Sequence, residues 1–178
     1  MKRDVPFWQF AGFVLMTLAG TLLHFLYDWT GGNVLTAPFS GVNESTWEHM
    51  KLLYFPLLLF ALFQSRLFEE NENFWCVKLV GFLTGLALIP VLFYTYNGAI
   101  GKSPDWLNIG IFFVSAAVAF LVEARLFKKG GIPCKQPRLA FSLVIVIGVL
   151  FVVFTFAPPQ IPLFQDPLTG TYGFFQTI

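Results

Sequence analysis

Two histidines and a run of acidic residues are the groups of this chain best suited to chemistry. His24 is followed four residues later by Asp28, with Tyr27 just before it. A second run reads Asn43-Glu44-Ser45-Thr46-Trp47-Glu48-His49-Met50-Lys51. On a helix, a spacing of four puts His24 and Asp28 on one face. If the second helix already includes Glu44, then Glu44, Glu48 and Lys51 share a face as well. His49 then lies about 100° further round. Two imidazoles with several carboxylates suit two kinds of chemistry. One is a divalent ion, Zn, Mn or Fe, with His24, Asp28 and His49 as candidate ligands. The other is acid–base catalysis, with Glu44, Glu48 and Lys51 as candidate catalytic groups. Only three Met and two Cys argue against a Cu(I) site.

Each of these residues also has an ordinary reading. Ser45-Thr46-Trp47-Glu48 is a capping box, with Ser45 as cap and Glu48 closing it. Glu44 would favour the start of a helix through the dipole. His24 and Asp28 could be a structural hydrogen-bonded pair, and His49 could face lipid headgroups. Lys51 could snorkel to the surface or neutralise Glu44 or Glu48. What favours a joint role is that both histidines and most of these acids fall at one end of two consecutive helices. Tyr27, Asn43, Trp47, Tyr94, Tyr96 and Asp166 are candidates to line the same pocket. Asn97, Lys102, Asp105, Asn108 and Tyr172 are more readily ordinary loop or interface residues. Glu123 lies at the far end of the fourth segment, where Arg125 and Lys128 would balance its charge. No Walker loop, G-x-S-x-G, H-E-x-x-H or G-x-G-x-x-G is present.

The elements that must position these groups are membrane helices. Of the 178 residues, 56% are hydrophobic and 12% charged, with 23 Phe. A soluble domain carries roughly a quarter charged residues. The mean hydropathy is +0.69. This excludes a disordered chain, a coiled coil and a nucleic-acid binder. Five apolar segments approach the ~20 residues a spanning helix needs: about 7–29, 47–68, 74–97, 106–127 and 139–157. Trp8, Trp29, Trp47, Trp75 and Trp106 mark segment ends, as an interfacial belt would. The first segment exceeds a signal h-region and no A-x-A site follows, so it reads as retained.

The expected fold is an all-α bundle of five transmembrane helices forming one domain over 1–178. Lys2, Arg3, Arg66, Lys78, Arg125, Lys128, Lys129, Lys135 and Arg138 fall on one side, and Lys51 and Lys102 on the other. The positive-inside rule then puts the N-terminus in the cytoplasm and the C-terminus outside, in the cell membrane. Pro56 and Pro90 should kink the second and third helices. Gly81 and Gly85 form a G-x-x-x-G pair, read as packing within the chain. No internal repeat is evident. The Thr30–Ser45 loop and the tail 158–178 should roof the bundle. Cys76 and Cys134 read as two separate reduced thiols.

The runs H-F-L-Y-D-W and N-E-S-T-W-E-H-M-K, with the tail P-P-Q-I-P-L-F-Q-D-P-L-T-G-T-Y-G, resemble an uncharacterised family of small multi-pass bacterial membrane proteins, chiefly clostridial. The likeness covers nearly the whole chain and implies no activity, so it transfers no roles. A weaker likeness is to five-helix sterol isomerase and sigma-2-receptor-like proteins, which place His and acidic residues in a membrane pocket. Only the His24-to-Asp28 spacing matches there. From the outward-facing His/carboxylate pocket, the expected function is an intramembrane enzyme, metal-dependent or not, acting on a lipid or small amphipathic molecule. A proton- or cation-coupled carrier and a non-catalytic ligand-binding protein are the alternatives.

Overall fold

Inside a bilayer an apolar run must satisfy its own backbone, so it folds as a helix. The chain does this five times: Val5–Trp29 (α1), Thr46–Leu67 (α2), Phe74–Ile100 (α3), Asp105–Lys128 (α4) and Pro137–Phe156 (α5). All five are long and apolar enough to cross a membrane. The computed structural model describes residues 4–68, 72–101 and 104–174. Lys2, Arg3 and Lys102, used in reading the orientation, lie outside the described residues. Among the described residues, the only strand-like feature is a single Gln165–Tyr172 bridge.

Local chemistry sets the helix ends. Asp4 caps α1 by accepting from Phe7 N–H, and Ser45 caps α2 by accepting from Glu48 N–H. Pro137 opens α5, where a missing N–H costs nothing. Pro56 and Pro90 lie inside α2 and α3, which continue past them.

α2 touches all four other helices, and α4 packs against both α1 and α3. α2 supplies Leu52, Leu53, Tyr54, Leu57, Phe60 and Ala61 to the main core. The Tyr54 hydroxyl donates to the Val144 carbonyl, tying α2 to α5 at mid-bundle. The tail folds back over one end. Phe174 N–H donates to the Thr155 carbonyl, and Phe164 packs on Trp47 at 4.6 Å between ring centroids. Gly173 has φ 58° and its α-carbon faces the Thr155 carbonyl, so a side chain fits neither the backbone nor the space.

Two sequence expectations are corrected. Cys76 and Cys134 are joined as a disulfide, with Cα atoms 6.2 Å apart. The antiparallel α3–α4 hairpin returns the chain to the same end of the bundle, which brings distant cysteines together. Glu123 is paired with Lys78 of α3, not with Arg125 or Lys128. Arg125 lies about 200° from Glu123 around the helix, and both basic residues are exposed while Glu123 is buried.

Gly81 makes that burial possible. A Cβ there would run into the Glu123 carboxylate, whereas one at Gly85 would only press on Leu53 and Ala119 at 3.2–3.3 Å. The carboxylate cannot swing aside without leaving Lys78. Gly81→Ala should therefore cost about 1–3 kcal/mol, as overpacking does, and Gly85→Ala less. Thermal unfolding of the two variants in detergent checks this order.

Candidate functional site

A cavity of about 480 Å³ opens at the end of the bundle opposite the disulfide. That volume suits a small organic ligand. Its walls follow helical spacing: Gly20, Thr21, His24 and Phe25 on α1; Ile89, Phe93 and Asn97 on α3; Asn108, Ile109, Phe112 and Phe113 on α4. Thr46, His49 and Leu52 of α2 complete the wall, and Glu44, Pro167 and Leu168 come from the loop and the tail. Most of the lining is apolar. Its three ionisable groups meet at one place.

That place is a carboxylate between two imidazoles. Glu44 Oε1 is 3.7 Å from His24 Nε2, and Glu44 Oε2 is 3.5 Å from His49 Nε2. The two rings are 5.7 Å apart. All three side chains are partly exposed to the cavity. His49 Nδ1 lies 3.0 Å from the Ser45 carbonyl. A carbonyl only accepts, so Nδ1 must carry a proton. Nε2 then faces Glu44 with either a lone pair or a second proton. At 3.5 Å the two groups are not hydrogen-bonded, but a small approach would let His49 and Glu44 share a proton, as acid–base chemistry requires.

The loop that carries Glu44 is held from below. Lys51 Nζ lies 2.5 Å from Glu48 Oε2 and donates to the Ala37 carbonyl at 2.8 Å and Thr155 Oγ1 at 3.0 Å. Glu48 Oε2 also accepts from Val42 N–H at 3.1 Å. One enclosed ion pair thus grips the loop at residues 37 and 42 and α5 at Thr155. Gly41 lies beside His24, where a Cβ would meet Nδ1 at 3.6 Å.

The candidate residues divide accordingly. His24, His49 and Glu44 come together. Glu48 and Lys51 are 2% and 0% exposed, lie outside the cavity lining and support the loop. They do not share a face with Glu44, because α2 begins only at Thr46 and Glu44 precedes it. Asp28 is exposed at the end of α1 and does not line the cavity. Among the described residues, no three His, Cys, Asp or Glu are arranged to hold a metal ion.

The remaining candidates are spread around the roof. Tyr27 packs on Phe174. Asn43 Oδ1 accepts from Ser45 N–H. Trp47 is wedged among Phe151, Phe154 and Phe164. Tyr94 is exposed and Tyr96 half-buried, both outside the lining. Asp166 accepts from Leu168 N–H and the Thr169 hydroxyl, forming the turn that sets Pro167 and Leu168 over the cavity.

Sequence reasoning missed the apolar wall. Its signal was the spacing of Ile89, Phe93 and Asn97, four residues apart on one face of α3. The chain matches, over residues 2–174, the profile of a family of unknown function (DUF6512). No curated protein and no solved structure matches it.

Proposed function

The chain belongs to the DUF6512 family of unknown function, so its role must come from its own site, and we propose an intramembrane acid–base enzyme. Its substrate is a lipid or other amphipathic molecule whose apolar part lies along Phe93, Ile111 and Phe112. Glu44 takes a proton from the substrate, and His49 or His24 returns one. Protons balance and no co-reactant is consumed, as in an isomerisation. The observation that supports this most is the Glu44 carboxylate set between two imidazoles in a mostly apolar cavity. The basic end of the bundle faces the cytoplasm of a bacterial cell, and the cavity opens outward.

The test uses the full chain in nanodiscs with total lipid of its expression host, incubated in heavy water. Mass spectrometry should find deuterium in one lipid species. Glu44→Gln should slow its appearance about 100-fold or more. Thr21→Trp, which fills the cavity, should abolish both the exchange and any co-purified amphipath. No exchange and no bound amphipath in the wild type would overturn the proposal.

A bound Zn, Mn or Fe is the second form of this reading. Nε2 of His24 and of His49 lie 3.7 and 3.5 Å from the Glu44 carboxylate, and since the three are not arranged to hold an ion as they stand, they would have to close on it. Near-stoichiometric metal, lost in a His24→Ala, His49→Ala double variant, would establish it. A carrier role is the third. The enclosed Lys78–Glu123 pair at the basic end favours it, but Tyr54, Leu57 and Phe82 fill the core between. Proteoliposome flux separates it from the others.

A further inference from the structure

A second polar cluster lies at the basic end and takes no part in the cavity. It draws one residue from each of four helices: Gln9 of α1, Gln64 of α2, Lys78 of α3 and Glu123 of α4. Gln9 is 4% exposed and the other three 0%. Lys78 Nζ lies 2.7 Å from Glu123 Oε2 and 3.3 Å from Gln64 Oε1. Its ammonium also sits over the Phe60 and Phe120 rings, at 5.8 and 5.5 Å. The Gln9 amide rests beside the Glu123 carboxylate without closing a hydrogen bond to it. Four enclosed atoms have no protein partner: Gln9 Nε2, Gln9 Oε1, Gln64 Nε2 and Glu123 Oε1.

Leaving one buried polar atom unserved costs about 1–3 kcal/mol. Four of them would consume much of a typical stability of about 5–15 kcal/mol. Their types select what serves them. Two are donors and two are acceptors, and Lys78 and Glu123 cancel in charge. A metal ion would be repelled by the ammonium and would leave both N–H groups unmet. An anion would face the carboxylate. A small neutral molecule with both donors and acceptors fits, and water is that molecule. Turning Gln9 Nε2 onto Glu123 would still leave Gln9 Oε1 and Gln64 Nε2, one acceptor and one donor.

We infer that Gln9, Gln64 and the Lys78–Glu123 pair enclose one or two ordered waters, forming a hydrated site inside the basic end of the bundle. The site is independent of the cavity and of the reaction proposed there.

Radiolytic labelling tests it. Full-length protein in nanodiscs is equilibrated with water enriched in heavy oxygen and pulsed with X-rays. Hydroxyl radicals formed from bound water oxidise the side chains beside it. Phe60 and Phe120 should take up label several-fold above Phe82, which is fully buried in the same core. Gln9→Leu should bring them down to the Phe82 level while circular dichroism stays unchanged. Labelling of Phe60 and Phe120 no higher than Phe82 in the wild type would overturn the inference. So would labelling unchanged by a folded Gln9→Leu. If Gln9→Leu does not fold, the wild-type comparison alone decides.

Discussion

Lys78→Met should destabilise the bundle by about 3–5 kcal/mol, the cost of leaving one member of a buried ion pair alone. Glu123 would keep a charge with no counterion, and Gln64 Oε1 would lose its donor. Glu123→Gln should move stability in the same direction. The decisive variant is the double one, Lys78→Met with Glu123→Leu. It removes both charges together, and an apolar replacement of similar volume is often neutral or stabilising. Recovery of most of the loss in the double variant, measured as reversible unfolding in mixed micelles, would attribute it to the stranded charge. Equal loss in single and double variants would instead point to packing around the lysine stem.

Lys51→Met should have a comparable effect on stability and a distinct one on the cavity. Its ammonium meets Glu48, the Ala37 carbonyl and Thr155, which uses all its donors. Methionine fills the stem's volume but makes none of these bonds. The expected loss is again about 3–5 kcal/mol, with release of the 30–45 loop as a second result. Glu44 rides on that loop. Amphipath binding should therefore fall together with stability, and protease sensitivity of the loop should rise. Glu44→Gln should lower turnover with the loop still protected. The two variants thus separate holding the carboxylate from using it.

The helices were legible in the sequence because a bilayer allows few solutions. Apolar length, terminal tryptophans and prolines placed every helix end within three residues of where it lies. The meeting of His24, His49 and Glu44 was legible because two consecutive antiparallel helices share an end. The roles of Glu48 and Lys51 were not. Their spacing put them on a face with Glu44, but the helix starts two residues too late for that. The capping motif gave the right signal at Ser45, while the Glu48 carboxylate turned to Lys51 and Val42 instead. Lys78 and Glu123 are 45 residues apart. No local pattern pairs them, and only the α3–α4 hairpin brings them face to face.

The disulfide gives that hairpin a different character. Residues 76 to 134 become a covalent ring that contains nearly all of α3 and all of α4. A ring of this size restricts the unfolded chain by roughly 4 kcal/mol in the chain-entropy account. It also makes the connection between the two helices dispensable for holding them together. Cut between Ile100 and Asp105, the two halves still travel as one molecule. The two helices that supply most of the cavity's apolar wall are then joined only at the opposite, basic end. Such a bond persists in oxidising surroundings and opens in reducing ones. With the basic flank in the cytoplasm, as proposed above, the ring closes only when that compartment turns oxidising, and the protein is otherwise a threaded chain.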